Sequence, residues 1–540
     1  MRGLIMDYPL TLSTILRRAE TLFPHKRVIS RRPDKSLHQT TYGEVARRAR
    51  QLAAALGQLG IRPGHRVATL AWSHHRHLEA YFGIPMAGAV LHTLNLRLHP
   101  DDLGYIAGHA GDRAILVDAA LLPLLERFRA AVPGATFIVM GEGQPVPPGF
   151  LDYETLLADA AADSLVEPSI DERDAAAMCY TSGTTGRPKG VLYSHRAIVL
   201  HSFASGLDCA MGIRESDVVL PVVPMFHVNA WGLPFTATML GAAQVFPGPC
   251  LDPASLLDLM SNQGVTITAG VPSIWAGILQ ALDKEPGAWN LSKMRCMLVG
   301  GAAVPPAILT GFQERHGLRV LHAWGMTETT PLGTVAALPS DLANADPGAQ
   351  YRHRCMQGQP APFVEIRARG AEQLVPWDGQ TMGELEVRGP WVASAYFGDD
   401  TSDRFTTDGW FRTGDLVTID PRGTVEIRDR IKDVIKSGGE WISSLALENA
   451  LMAHPAILEA AVIAVPHPRW QERPLAVVVL RPGTTATPQE LRDFLAPHFA
   501  SWALPDAFEI VPEIPKTSTG KMQKSVLRER FRDYRPDARL

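Results

Sequence analysis

Residues 180–190 read YTSGTTGRPKG, a run of glycines and hydroxyl side chains closed by a lysine and one more glycine. Such a run can hold phosphate. Gly183, Gly186 and Gly190 reach backbone angles that a Cβ resists, so successive N–H groups can converge on an anion. Thr181, Ser182, Thr184 and Thr185 add hydroxyl donors, and Lys189 adds a mobile positive charge. The preceding AAAMCY at 175–180 reads as a buried strand, and helical spacing over 194–202 predicts that the loop leaves a strand and opens a helix. The spacing is not that of the usual nucleotide-triphosphatase loop, because Gly183 and Gly186 lie too close together and Gly190, rather than Ser or Thr, follows Lys189. A flexible linker is the competing reading, and the RPKG ending followed by strand-like VLY argues against it.

Working outward from this loop, 540 residues with 46% hydrophobic content can bury a large core and predict two or more domains. A net charge of −4 gives no general pull toward nucleic acid or an anionic membrane. Cys179, Cys209, Cys250, Cys296 and Cys355 are scattered, odd in number and never in a C-x-x-C pair, which fits a reducing cytoplasm rather than a zinc site or disulfide scaffold. The first residues reach Asp7 and Arg17 without an apolar run long enough for a signal peptide. From 218 to 251 there is no Asp, Glu, Lys or Arg, but Pro221, Pro224, Pro234, Pro247 and Pro249 interrupt the span, so a buried core segment is expected rather than a membrane helix.

Before the loop, residues 10–171 alternate helical spacing (11–22, 43–59, 77–86) with short apolar runs (66–71, 89–95, 114–118, 136–140), the signature of a largely parallel sheet covered by helices. After it, 217–232 runs a strand into a helix start. There His227 and Trp231 are four apart, which on a helix puts imidazole and indole on one face. A buried core pair is the alternative. MLVGGAAVPP at 297–306 is a glycine-rich turn against which a flat ring could slide, or simply a tight turn. HAWGMTETTP at 322–331 sets one carboxylate among hydroxyls, where a helix cap reads equally well. Residues 339–356 lack periodicity and predict a surface connection, and alternating strands at 364–368 and 383–388 predict a β-rich subdomain leading to GWFRTGD at 409–415. There Asp415 could accept two hydroxyls at once, as a ribose offers, or make an Asx turn. The run RIKDVIKSGGEW at 430–441 is dense in charge, then in glycine. About a hundred residues follow, enough for a small separate domain, with a lysine after a Ser/Thr/Gly loop in PKTSTGK, 515–521.

Taken together, YTSGTTGRPKGV, PMFHVNAWG, HAWGMTE, GWFRTGD and PKTSTGK resemble the acyl-adenylate-forming superfamily, which includes acyl-CoA synthetases, luciferases and adenylation domains of peptide synthetases. The resemblance spans about residues 11–531. It implies an α/β fold: a large N-terminal domain of mixed and parallel sheets with helices and a β-rich subdomain (1–431), and a small mobile C-terminal α+β domain (432–540) hinged at Lys432. It also implies ATP, Mg²⁺ and the substrate CoA. Thr181, Ser182, Gly183, Thr185, Gly186 and Lys189 would grip phosphates. Gly300, Gly301 and Ala302 would lie against adenine, with His322, Ala323, Trp324, Gly325 and Met326 beside it. Thr327 would touch the α-phosphate, Glu328 with Thr184 would hold the metal, and Asp415 and Arg430 would meet the ribose. His227, Trp231, Gly301, Trp324 and Pro331 would border the acid. Lys436, Gly438, Gly439, Glu440 and Trp441 would face the active site or the CoA channel. Lys521 would be the adenylation lysine. Trp324 stands where the family usually has Tyr, so any hydrogen bond of that hydroxyl is lost or taken over by the indole N–H.

The resemblance is strongest to medium- and long-chain fatty acyl-CoA synthetases and 3-(methylthio)propionate–CoA ligases. It implies two half-reactions: acid plus ATP gives acyl-AMP and pyrophosphate, and CoA then takes the acyl group. The charge-free interval offers no carboxylate for a substrate ammonium, which favours an uncharged, apolar tail. An adenylation enzyme serving a carrier protein and a non-enzymatic binder are the rival readings. No nucleic-acid partner is expected, and a homodimer is.

Overall fold

The computed structural model describes residues 1, 3–162, 165–181, 187–302, 304–399, 402–438, 440–516 and 522–534. Two large sheets form its centre. The seven-stranded sheet runs Leu151–Asp152, Thr136–Met140, Asp112–Asp118, Arg66–Leu70, Val90–Thr93, Ala175–Tyr180, Gly190–Ser194. Every neighbouring pair is parallel except the last. The nine-stranded sheet is parallel through its middle, from Val320–Gly325 across to Arg27–Arg31, and antiparallel at both ends. Both sheets take helices on their faces, so their central parallel strands are buried at nearly every position instead of alternating.

The expected helices and strands before the loop are present, among them Leu12–Leu22, Tyr42–Gln58 and His75–Met86. Thr41 caps the second of these by accepting the Glu44 N–H. The one-sheet picture of this region is incomplete, because Arg27–Arg31 pairs with Ala243–Phe246 of the nine-stranded sheet and carries Leu37–Thr41 as its edge strand. A second correction concerns 339–356. Pro347–Cys355 is a helix, with Asp346 accepting the Ala349 N–H at its start. Its mean hydropathy is low and only His353 is buried, so no apolar stripe announces it.

The interval 218–251 folds inward as expected, into Val218–Pro221, Leu233–Leu240 and Ala243–Phe246. Beyond it, Glu365–Arg369, Gly383–Arg388, Phe411–Ile419 and Val425–Arg430 form a four-stranded antiparallel sheet. The last sheet, centred on Ile457–His467 and Gln471–Leu480, packs helices Ser444–Met452 and Pro488–Leu495 on one side and Lys524–Arg530 on the other. Its two apolar clusters draw all their members from Ile435 onward.

Candidate active site

The hydroxyl-rich loop joins Ala175–Tyr180 to Gly190–Ser194, two antiparallel strands, and the helix His195–Gly206 begins only afterwards, capped by Ser194. The loop therefore does not open a helix, and any hold on phosphate comes from its own N–H groups and side chains. Ser182, Gly183, Thr184, Thr185 and Gly186 lie outside the described residues, as do Gly439 and Lys521. The mouth of the loop is pinned by two hydrogen bonds: Thr181 N–H donates to the Lys189 carbonyl (2.9 Å) and Lys189 N–H to the Thr181 hydroxyl (3.1 Å).

Thr181 and Lys189 open onto a cavity of about 620 Å³. Lys189 Nζ pairs with Asp399 at 2.9 Å and lies 4.7 Å above the Tyr396 ring. Six cations line this cavity (Arg187, Lys189, Arg404, Arg412, Arg430, Lys432) against the carboxylates of Glu328, Glu384 and Asp403. Asp399, Asp415 and Glu386 pair with Lys189, Arg430 and Arg412 from behind the wall, so the positive face of the lining suits a polyphosphate that can take over these cations.

Ala323, Trp324, Gly325, Met326 and Thr327 reach the cavity from the end of the strand Val320–Gly325, and Glu328 and Pro331 from the turn that follows. Glu328 is buried, and its Oε1 accepts the Tyr396 hydroxyl at 2.6 Å. Burial, and then the Glu328 charge, push the Tyr396 hydroxyl well above its ordinary pKa, so it stays a donor. A buried carboxylate beside a cationic cleft fits magnesium, which takes few protein ligands and keeps most of its waters. Glu328 is thus a fitting ligand, with Thr184 beyond the described residues.

Asp415 lies just beneath the wall. Its Oδ2 accepts the Trp324 indole N–H at 2.9 Å, and its Oδ1 lies 3.0 Å from Arg430 Nε without a hydrogen bond of good geometry. One lone-pair site of a fully buried carboxylate is therefore left for a hydroxyl, which fits a ribose. The indole N–H is committed to Asp415, which settles where Trp324 spends the donor that replaces the Tyr hydroxyl. Asp415 in turn holds the Arg430 guanidinium charged. Burial lowers the Lys432 ammonium, helped by Arg430 and opposed by Asp433.

His227, Trp231, Gly300 and Gly301 also line the cavity. Val228, Asn229, Ala230 and Trp231 have φ of 45, 50, 50 and 55°, a complete left-handed turn. The expected right-handed face is therefore wrong, although both side chains still reach the cavity. Such angles cost roughly 1–2 kcal/mol per residue with a Cβ. Packing holds the turn: Cys179 Sγ donates to Asn229 Oδ1 at 3.3 Å, and the Trp231 ring lies over Gly300 and Gly301, where an added Cβ would come within 3.3 and 3.7 Å of it.

Other expected residues lie elsewhere. His322 turns away from the cavity, bonding the Cys355 carbonyl through Nδ1 at 3.1 Å, and burial pushes its pKa down to about 4. Ala302 is exposed and outside the lining. Lys436, Gly438, Glu440 and Trp441 are also outside it: Lys436 N–H bonds Glu472, Gly438 N–H bonds the Trp470 carbonyl, and Trp441 borders a separate groove beside Asn449. Among the described residues nothing beyond Lys432 lines the cavity.

Sequence reasoning passed over His201, Ser205, Tyr396 and Arg404. Arg187 and Arg412 stood inside quoted motifs as signals not used, whereas Tyr396 and Arg404 sit in a stretch with no motif at all.

Fold and cleft together define an α/β enzyme with a cationic, nucleotide-sized site between two sheets and a β-rich subdomain. The chain belongs to the AMP-binding enzyme family, whose pattern matches residues 16–397, and the AMP-binding enzyme C-terminal domain matches 446–521. It is 49% identical to a long-chain-fatty-acid–CoA ligase of Thermus thermophilus, covering 98% of this chain and 97% of the relative. It is 43% identical to a 3-methylmercaptopropionyl-CoA ligase of Ruegeria lacuscaerulensis, covering 99% of each. Among solved structures, an anthranilate CoA ligase in complex with anthranoyl-AMP superposes with a TM-score of 0.86 at 28% identity, over 97% of this chain and 98% of that one.

Proposed function

We propose that the protein is an AMP-forming acid–thiol ligase that activates a medium- or long-chain fatty acid, a carboxylate with an uncharged, apolar tail, with MgATP and passes the acyl group to CoA. The single observation that carries this reading is one cavity in which Glu328, Arg430 with Asp415 paired behind it, and further cations meet an apolar lining of Met211, Trp231, Leu298 and Leu332. The named activities of the relatives agree with it. A 3-(methylthio)propionate-like thioether acid is the second reading, favoured by the Ruegeria relative. An enzyme loading a carrier protein is the third.

In the first half-reaction the substrate carboxylate oxygen attacks the α-phosphorus, and the bond to pyrophosphate breaks. The chain's part is alignment and charge neutralisation. Loop N–H groups, Lys189 and neighbouring arginines would hold the phosphates, Asp415 and Arg430 the ribose, and Thr327 the α-phosphate, while Lys521 would bridge attacking and phosphoryl oxygens. Magnesium, held by Glu328 and Thr184, would supply positive charge to the phosphates. In the second half-reaction the CoA sulfur attacks the acyl carbon and AMP leaves.

We divide the chain at 431/432 and assign Lys432 as the pivot. With Gly438, Glu440 and Trp441 outside the cavity in this arrangement, rotation of the small domain would be needed to bring them to the thiol. A homodimer and a cytoplasmic location complete the proposal. Five free cysteines agree with the location.

Acid-dependent ATP–pyrophosphate exchange, followed by thioester formation with CoA or with a carrier protein, tests the reading. Exchange with octanoate and transfer to free CoA are expected. Exchange without transfer to CoA would assign the carrier-loading activity, and no exchange with any acid would refute adenylation.

A further inference from the structure

Two charges of the nucleotide cleft, the Glu328 carboxylate and the Lys189 ammonium, come from distant parts of the chain and meet one side chain between them. That side chain is Tyr396, which is buried, lines the cavity and stands on the connection following the strand Gly383–Arg388. Its hydroxyl donates to Glu328 Oε1 at 2.6 Å, the length of a charge-assisted O–H···O bond to a carboxylate. Its ring centre lies 4.7 Å from Lys189 Nζ, within the range at which the negative face of the ring attracts an ammonium. The Lys189 side chain remains 43% exposed, so a phosphate can still reach it.

The connection itself is bonded on both sides. Ala393 N–H donates to the Glu328 carbonyl at 2.8 Å, and the Thr330 hydroxyl to the Trp391 carbonyl at 2.6 Å, which joins it to the turn that carries Glu328. Phe397 N–H donates to the Gly190 carbonyl at 2.9 Å, which joins it to the end of the phosphate loop. Phe405 packs edge-on against the Tyr396 ring at 5.3 Å and fixes the ring plane. The main-chain bonds hold with any side chain at 396, so they do not account for the phenol. The phenol adds two things: a donor for one carboxylate oxygen, which otherwise swings about its χ angles, and an aromatic face for one cation. With Oε1 engaged, coordination of a metal falls to Glu328 Oε2. Partners that fix a ligating carboxylate in this way set metal affinity without touching the metal. We propose that Tyr396 is a positioning residue of the MgATP site, whose hydroxyl orients Glu328 for the metal and whose ring steadies Lys189 for the phosphates. This inference rests on the ligase reading above and adds to it the residue that sets how strongly Mg²⁺ reinforces nucleotide binding.

The test is calorimetric titration with ATP, once with Mg²⁺ in excess and once in EDTA, so that the ratio of the two affinities gives the gain due to the metal. Tyr396→Phe keeps the ring and removes one oxygen. Its metal gain should shrink by about tenfold while its metal-free affinity stays within about twofold of the unaltered protein. Tyr396→Leu removes the ring as well, and its metal-free affinity should fall by about threefold, the loss of one cation–ring contact. Because general damage to the site weakens binding with and without the metal alike, only the ratio reports the positioning of Glu328. An unchanged metal gain in Tyr396→Phe would overturn the proposal, whatever the absolute affinities. Equal metal-free affinities in the two variants would overturn the part assigned to the ring, and Tyr396→Phe alone carries the test if Tyr396→Leu does not fold. Failure of the unaltered protein to bind ATP under either condition would instead overturn the ligase reading on which the proposal stands.

Discussion

At the scale of single residues, Trp324 and Asp415 tie the strand Val320–Gly325 to the β-rich subdomain, since the indole N–H and the carboxylate come from different sheets and meet at 2.9 Å. Trp324→Phe keeps an aromatic face in the cavity but leaves Asp415 Oδ2 buried without its donor. An unsatisfied buried acceptor costs about 1–3 kcal/mol. ATP affinity, measured by calorimetric titration, should therefore weaken about tenfold or more, with KM for the acid changing less. An unaltered ATP affinity would mean that the indole does not orient the carboxylate. The residue type at 324 and the carboxylate at 415 were both visible as motif positions in the sequence, but their bond was not, because 91 positions separate them.

Among the elements, the left-handed turn at 228–231 is the clearest departure from local preference. Ala230 sits at φ 50° and ψ 40°, a region glycine occupies without steric cost. Ala230→Gly should raise or leave unchanged the unfolding midpoint, whereas Ala53→Gly, in the right-handed helix Tyr42–Gln58, should lower it. Both changes remove one fully buried methyl, so the two variants should differ by about 2 kcal/mol through the backbone alone. Equal losses would show that the turn carries no strain. Nothing in VNAW except Asn229 favours left-handed angles, which is why the sequence reads as a helix start there. The turn is imposed by Cys179 and the glycines at 300 and 301, all distant in the chain. Where local pattern and tertiary demand agree, as in the parallel strands and their capped helices, the sequence was legible to within a few residues. Pro347–Cys355 was illegible for the opposite reason, being polar nearly all round.

Over the whole molecule, the fold buries several neutral imidazoles: burial lowers His77 and His201 to about 3 and His195 and His322 to about 4. Their ordinary pKa is about 6.5, so the unfolded chain takes up protons below that pH while the folded chain does not. Stability from this source is present above pH ~6.5 and is lost as pH falls toward 3–4, by no more than about 2 kcal/mol per ring at pH 5. The thermal midpoint should drop between pH 7 and pH 5, and His77→Gln should reduce the drop. A midpoint indifferent to pH over that range would contradict the assignment of neutral rings. The two-part organisation makes a more direct claim. Under the proposed function one cleft would serve two chemistries, with Lys521 and the 438–441 segment taking turns at it, the first in making acyl-AMP and the second in receiving the thiol. The measurement that tests this is the pair of half-reactions in Lys521→Ala: acid-dependent ATP–pyrophosphate exchange, and CoA transfer from supplied acyl-AMP. Exchange should fall by at least a hundredfold while transfer stays within a few-fold of the unaltered protein. Equal loss of both, or retention of exchange, would contradict the alternation at its root.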